Sequence, residues 1–580
     1  LPDENVLISD LVIDQSFDWK MEKNITIDIN VIENDSSKLG IPSIYVEIFD
    51  NINNGIIFKG LTNSEGNINV EVTVPSSLSE LSVRTNFKDT LVAIDAKVLE
   101  CTLNTDHIIV DNNLDITRSS SRASATNLIT NPGFSTNSYD SSTKVKDKNV
   151  DLDKWYYKEK KSSSVYAFPV YKNSDWVMKV IKATTSRESF CAQVIDDVTV
   201  GKTYRLEVDG KILSGLTNNK VSLQLQFCEN KLDKKPKSTY EVKDWTSSWK
   251  RQGVTATAPS KTEYIRVVLY IDKHSSNGSI LFDNITLAEW IDTDDDGICD
   301  SNDDYPNDDT KAFDNFYPSD NTKASLAFED LWPYKGDYEF NDLVVDYQMN
   351  PITNADNKVV VIENYITVKA IGASFHSGLG IELPVLPSVV NTVTGQEING
   401  NYISLSSNNT EANQTNAVII LFDDAFDLLP HPGNGCEFVN TTIGETYVTP
   451  QTIQIDVKFS TPQTISSLGT PPYNPFMIID QTRNKEIHLA NYPPTDLAST
   501  SLLGSGHDDS KPSQNRYYVT KNNLPWVINT PYQFKYPKEK VEITSAHLKF
   551  APWAVSIGVN YTEWYKDKNG YRSDSNIYSH

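Results

Sequence analysis

The amino-acid sequence predicts an all-β protein built from several sandwich units in series. Three observations carry that prediction. Apolar residues recur at every second position, with Ile25, Ile27, Ile29 and Val31 in one stretch and Ile68, Val70, Val72 and Val74 in another. That is the period of a half-buried strand, whose side chains alternate between two faces. Tyr (28), Phe (21), Thr and Asn are plentiful while Met (4) is scarce, and Gly, Pro and Asn clusters break the runs at intervals of about ten residues, as short strands with tight turns require. Finally, 580 residues at about 150 per domain make three or four units.

Residues 1–118 form the first unit, a small antiparallel sandwich with turns at Gly40–Ser43 and Asn63–Gly66. Its segment Gly60-Leu-Thr-Asn-Ser-Glu-Gly66 resembles the hairpin of carboxypeptidase-regulatory-like and related Ig-like modules of bacterial surface proteins. The resemblance implies spacing and docking. Residues 119–125, Ser-Ser-Ser-Arg-Ala-Ser-Ala, are a polar, small-residue linker.

The second unit spans 126–290. It runs from Asn131-Pro-Gly133-Phe134 through Asp175-Trp176 and Gly201-Lys-Thr-Tyr204 to Phe282-Asp283-Asn284-Ile285. That order resembles the β-jelly-roll carbohydrate-binding modules, which implies the fold and a sugar ligand. In such modules a closing-strand Asp often joins a structural calcium, which makes Asp283 a candidate ligand. Sugar C–H surfaces stack on aromatic faces. Trp245 and Trp249, set in the polar run Lys243-Asp-Trp-Thr-Ser-Ser-Trp-Lys250, are the candidates for such a platform; capping the sandwich edge is the competing reading. Trp155 and Trp176 are assigned to the core.

Residues 291–322 are an acidic connector. Numbered from Asp292, the run Asp292-Thr-Asp294-Asp-Asp296-Gly297-Ile298-Cys-Asp300-Ser-Asn-Asp303 places oxygen-bearing side chains at positions 1, 3, 5, 9 and 12, Gly at 6 and a backbone carbonyl at Ile298. A twelve-residue loop wraps Ca²⁺ with this spacing, and Gly permits its sharp turn. Asp303 replaces the usual Glu, which weakens bidentate closure. A strand-like segment, 279–287, precedes the loop where an EF-hand has a helix, and the run is similar to the type 3 thrombospondin calcium repeat. From Asp292 to Asp346 there are 17 acidic residues against 3 Lys, a net of −14 out of a total of −25. Such a block repels itself unless neutralised.

The last unit, 323–580, opens with Phe328-Glu-Asp330-Leu-Trp332 and Gly336-Asp337-Tyr-Glu339-Phe-Asn341-Asp342. In an extended chain Asp337, Glu339 and Asn341 share one face, and Asp342 leads into an apolar strand. Carboxylates placed there call for a cation or several hydrogen bonds, so all four are candidate calcium ligands. These residues, with Ser377–Leu383, Arg483–His488, Gly506-His-Asp508-Asp509, Leu524-Pro-Trp526 and Ala551-Pro-Trp553, resemble the LruC domain of exported bacterial surface lipoproteins. The resemblance implies an outer-membrane surface lipoprotein whose lipid anchor lies outside this sequence. Segment 551–559 is expected to close the domain, and the tail from Lys566 to fray.

A sequence pI near 4.7 argues against nucleic acid, whose phosphates need a basic footprint. No run of 18 apolar residues marks a transmembrane helix. The five Cys, at 101, 191, 228, 299 and 436, make no C-x-x-C; Cys191 and Cys228 are the pair that one unit would bring together. Nucleophile-elbow, zincin and P-loop motifs are missing. His376, His488, His507 and His547 are the histidines that could converge, with His507-Asp508-Asp509 the most suggestive cluster; a further calcium site is the other reading of Asp508 and Asp509. The expected function is non-catalytic, calcium-stabilised binding at the cell surface, to a glycan or another envelope protein. An accessory subunit of an outer-membrane assembly and a polysaccharide hydrolase are the alternatives.

Overall fold

The computed structural model describes residues 7–580 except 9–10, 33–39, 41–42, 86–88, 105–126, 131–154, 158–164, 173–174, 183–187, 197, 232–235, 244, 248 and 434. The 119–125 linker and the Asn131–Phe134 motif lie outside the described residues. The fold is all-β, in several mainly antiparallel sandwich sheets.

In the first sandwich, strand Glu22–Ile32 pairs with Asn67–Pro75 and, in parallel, with Val98–Asn104. The facing sheet runs Gly55–Leu61, Tyr45–Asp50, Glu80–Thr85, Asp89–Ala93. Ile25, Ile27, Ile29 and Val31 are buried against Val46, Ile48, Val70 and Val83, as the period-two pattern requires. The sandwich begins at Glu22, because residues 11–21 leave it. Leu11, Ile13, Phe17, Trp19 and Met21 lie in the aromatic core of the last unit, with Phe340, Phe550, Trp553 and Trp564. Trp19 stacks on Phe550 with ring centroids 5.7 Å apart, and its indole N–H donates to the Asn523 carbonyl at 2.7 Å. Large aromatic surface draws the segment across a sequence separation of more than 500 residues.

The second unit packs two five-stranded sheets face to face. One runs Lys250–Thr257, Thr203–Ser214, Gly278–Glu289, Asp175–Lys182, Val165–Lys172; the other runs Ser238–Val242, Val221–Cys228, Tyr264–Ile271, Ser189–Ile195, Trp155–Tyr157. Trp155 is buried between them, as expected. Cys191 and Cys228 do not pair. They sit opposite Leu269 and Tyr264 of one strand, about 16 Å apart at 3.3 Å per residue, beyond disulfide reach.

The last unit packs a six-stranded sheet (Val390–Thr394, Thr452–Gln463, Val359–Ala370, Leu343–Thr353, Ala324–Phe328, Val527–Thr530) on a four-stranded one (Ala417–Phe422, Gly378–Leu383, Asn474–Ile478, Glu486–His488). Its closing segment is a short helix, Phe550–Val555, burying Trp553. The tail is not frayed: Ile577 is buried, Tyr578 stacks on Tyr536 and His580 on Tyr447. Aromatic faces anchor a segment whose overall polarity suggested otherwise.

Candidate calcium centre and ligand-binding face

The connector loop is built from short side chains that fold back on their own backbone. Asp294 Oδ1 accepts from the Asp296 N–H (3.3 Å), Asp296 Oδ1 from Ile298 (2.7 Å) and Asp303 Oδ1 from Tyr305 (2.7 Å). These are Asx-turns, which Asp adopts readily. Asp292 Oδ2 accepts from the Gly297 N–H at 3.1 Å, across a turn in which Gly297 has φ +95°. That backbone angle demands glycine.

Each of these four carboxylates therefore commits one oxygen to a backbone N–H. The second oxygens (Asp292 Oδ1, Asp294 Oδ2, Asp296 Oδ2 and Asp303 Oδ2) are buried without a hydrogen-bond partner. Ligand atoms of Asp292, Asp294 and Asp296 lie within 4.8 Å of one another, which fits two oxygens on opposite sides of a Ca²⁺ at 2.3–2.6 Å. Burial, then mutual repulsion, raises the proton affinity of Asp292 and Asp296 and pushes the Asp303 carboxyl to about 7. Buried carboxylate oxygens left without donors are costly unless a cation meets them. The donor set is all oxygen and suits a hard cation. Asp303, with one oxygen on Tyr305, can offer only the other. Asp300 is turned aside: its two oxygens accept from the Thr293 N–H (2.8 Å) and hydroxyl (2.7 Å). Asp309, which the spacing did not single out, adds to the negative potential at Asp296.

The second acidic constellation is organised differently. Tyr338 and Phe340 have φ +60° and +51°, so the segment is a wound loop and the expected extended alternation does not form. Its N–H groups converge on the Glu329 carboxylate, Tyr338 at 2.9 Å and Phe340 at 2.7 Å, as in a backbone nest. Asp342 accepts from the Asp330 N–H at 2.8 Å, Asn341 donates to Glu339 at 3.0 Å, and Asp337 is exposed. Burial is the first cause raising Glu329 and Glu339 to about 8 and Asp330 to about 6. Glu329, Glu339 and Asp342 thus find partners within the protein, while Asn341 Oδ1 is buried without one. Asp283 is also buried, its Oδ1 accepting from the Asn284 N–H, opposite Asp209 in the sheet register. Among the described residues the one group of three converging metal-ligand side chains is Asp292, Asp294 and Asp296.

Trp245 forms no stacking platform. It is 1% exposed, edge-on to Phe282 at 5.4 Å, and covers Gly210, where a Cβ would come within 2.3 Å of the indole. Trp249 is half-buried. A polar row runs along the sheet that contains Val221–Cys228. Leu223, Leu225 and Phe227 face the core, so Ser222, Gln224 and Gln226 take the opposite face, where they are themselves buried while Arg266, Tyr270 and Phe190 beside them are half-buried. Register places Gln224 beside Glu241, Gln226 beside Arg266, and Tyr270 beside Phe190. Gln226 donates to Gln224 at 2.6 Å, Gln224 to Glu241 at 3.1 Å, and Arg266 to Gln226 at 2.7 Å. The result is a row of amide and guanidinium groups flanked by two rings. Glutamines at alternate positions of an otherwise apolar strand were the visible signal; the spacing of tryptophans misled.

The histidines do not converge. His376 pairs with Asp424 (2.6 Å), His488 with Glu486 (2.9 Å), and His547 contacts the Lys535 carbonyl (2.8 Å). His507 Nδ1 accepts from the Lys335 N–H, Asp508 turns to Gly504 and Ser510, and Asp509 is ion-paired with Lys511 and Arg516.

Residues 357–565 match a family profile described as a domain of unknown function (DUF4842). No curated protein matches the chain. Among solved structures, a Bacteroides ovatus protein described as a lipoprotein is 16% identical, covering 67% of this chain and 95% of its own (TM-score 0.37). A family 16 carbohydrate-binding module is 22% identical over 22% of this chain and 85% of its own (TM-score 0.17). The enzymatically active domain of tailspike protein 4 from bacteriophage CBA120 is 11% identical over 28% of this chain (TM-score 0.22); the match spans 21% of that domain's length. The similar structures are mainly carbohydrate-binding modules and sugar-binding proteins.

Proposed function

We propose that this chain is a calcium-ordered binding protein, exported and held at the outer-membrane surface through a lipid anchor, and that it acts without catalysis. The observation supporting the calcium reading is the convergence of the Asp292, Asp294 and Asp296 oxygens, joined by the buried, unpartnered oxygen of Asp303. One Ca²⁺ there supplies the missing partner of each. The role is structural, because the loop joins the jelly roll to the last unit: Asp300 N–H donates to Ile291 O, and Phe313 pairs with Thr353. Isothermal titration of chelator-treated protein with Ca²⁺, backed by elemental analysis, tests this. The expected dissociation constant is roughly 10⁻⁶–10⁻⁴ M; a flat titration with no bound calcium refutes it.

The ligand we assign is a neutral glycan, on the outer face of the Val221–Cys228 sheet. Gln224, Gln226 and Arg266 offer the donors and acceptors that hydroxyls need, and Tyr270 and Phe190 the rings for C–H faces. A net charge of −25 disfavours anionic polymers. Arg266→Ala with Tyr270→Ala, both at half-buried positions, is expected to abolish retardation in polysaccharide affinity gels; unchanged retardation by a polysaccharide that binds the parent protein refutes the placement. The non-catalytic reading is supported by Glu329 and Glu339, two acids whose proton affinity burial raises, being buried and hydrogen-bonded inside the fold.

A further inference from the structure

We infer that calcium binding and the docking of the first sandwich are linked, so that the ion locks the Tyr45–Leu61 hairpin onto the connector. This rests on the calcium reading above. Gly55–Leu61 is the edge strand of its sheet, and an edge leaves backbone groups without partners. Here they are met from outside the sandwich. Ile56 N–H donates to Asp320 Oδ1 (2.8 Å) and Lys59 N–H to Asn315 Oδ1 (2.8 Å), while the Asn357 amide bonds Leu61 on both sides (2.9 and 2.7 Å). Lys59 Nζ reaches both oxygens of Asp304, at 3.0 and 2.8 Å, with side-chain exposures of 8% and 2%. A pair so enclosed tolerates little displacement, because each charge alone would be stranded.

Two positions of the calcium loop are attached directly to this surface. Asp303, at position 12, immediately precedes Asp304, whose Oδ2 also accepts from the Asp314 N–H at 3.0 Å. Ile298, at position 7, clusters with Ala312 and Phe313, against which Tyr45 and Leu61 pack. Without the ion, the facing carboxylates push the loop apart, and with it the two residues that hold Lys59 and Tyr45. With the ion, both are held in register. Coupling of binding equilibria is reciprocal, so loosening the dock must weaken calcium binding by the same factor.

Two measurements on the full chain test the linkage. The first is the calcium dissociation constant of Asn357→Ala, a change that is uncharged and outside the loop; it should rise about 5-fold or more. (Lys59→Met is less suitable, since removing a nearby positive charge tightens cation binding by itself.) The second needs no variant: amine acylation of Lys59, read by mass spectrometry, should be slow in calcium and several-fold faster in chelator. Calcium binding by the parent protein, with an unchanged constant in Asn357→Ala and Lys59 labelling indifferent to chelator, overturns the linkage and leaves the calcium site standing. Absence of calcium binding in the parent protein overturns both.

Discussion

Replacing Trp245 by Ala separates a core tryptophan from a sugar platform. The side chain is 1% exposed, edge-on to Phe282, with Gly210 beneath it. Removing a buried indole costs about 3–5 kcal/mol in transfer and cavity terms. For a domain of this size each kcal/mol lowers the melting temperature by about 2–4 °C, so the jelly roll should lose roughly 6–20 °C. The indole N–H has no acceptor, and an unmet buried donor costs about 1–3 kcal/mol. Trp245→Phe sheds that donor while keeping a ring, so it should lose less than half as much. Trp249→Ala, at a half-buried position, should stay within about 1 kcal/mol. Differential scanning calorimetry of the three variants, with affinity gels run in parallel, reads both stability and ligand retention. If Trp245→Ala melts like the parent protein and loses polysaccharide retention, the indole is a binding face and the packing argument fails.

Three further outcomes are expected. Asp294→Ala with Asp296→Ala should lower the melting temperature in calcium as chelation does, by about 2.7 kcal/mol of stability at a hundredfold excess of calcium over its dissociation constant, and should open the 300–309 segment to protease; an unchanged cleavage pattern counts against the site. His547 is fully buried, and burial lowers its pKa from 6.5 to about 4. As pH falls below about 6.5 the unfolded chain takes up this proton first, so His547 should cost stability progressively down to about pH 4 and no further, by at most about 3 kcal/mol; urea unfolding of His547→Gln should show a correspondingly shallower acid slope than the parent protein. Trp19→Ala should destabilise the last unit by about 3–5 kcal/mol, although Trp19 lies more than 500 residues from Asn523 and Phe550; a near-ultraviolet circular-dichroism melt of the aromatic core that is unchanged would show that residues 11–21 are not part of that core.

The sequence by itself determined the features that depend on local chain geometry. Strand period is set by the alternation of side chains, so Ile25–Val31 and Ile68–Val74 declared their sheets without help from the rest of the fold. The convergence of carboxylates in the connector was legible for the same reason: Asp292, Asp294 and Asp296 need only a short backbone path to face one point, and that path runs through Asx-turns and one left-handed glycine, Gly297.

Only the tertiary structure decided what covers what. Trp245 and Trp249 stand in the same polar run, yet Gly210 and Phe282 leave room for one of them inside the core, and nothing local records that room. Asp337, Glu339 and Asn341 share spacing with a metal site, but positive φ at Tyr338 and Phe340 winds their loop around Glu329 instead. Residues 11–21 alternate, with Leu11, Ile13, Phe17, Trp19 and Met21 buried and their neighbours exposed, yet alternation does not say which core receives them, and their place beside Phe550 and Trp553 follows from aromatic surface finding its complement across the chain. The partner of Asp304 is Lys59, 245 residues earlier. Burial and pairing are properties of the contact made and not of the residue that makes it, so spacing along the chain locates the charges while packing selects which of them meet.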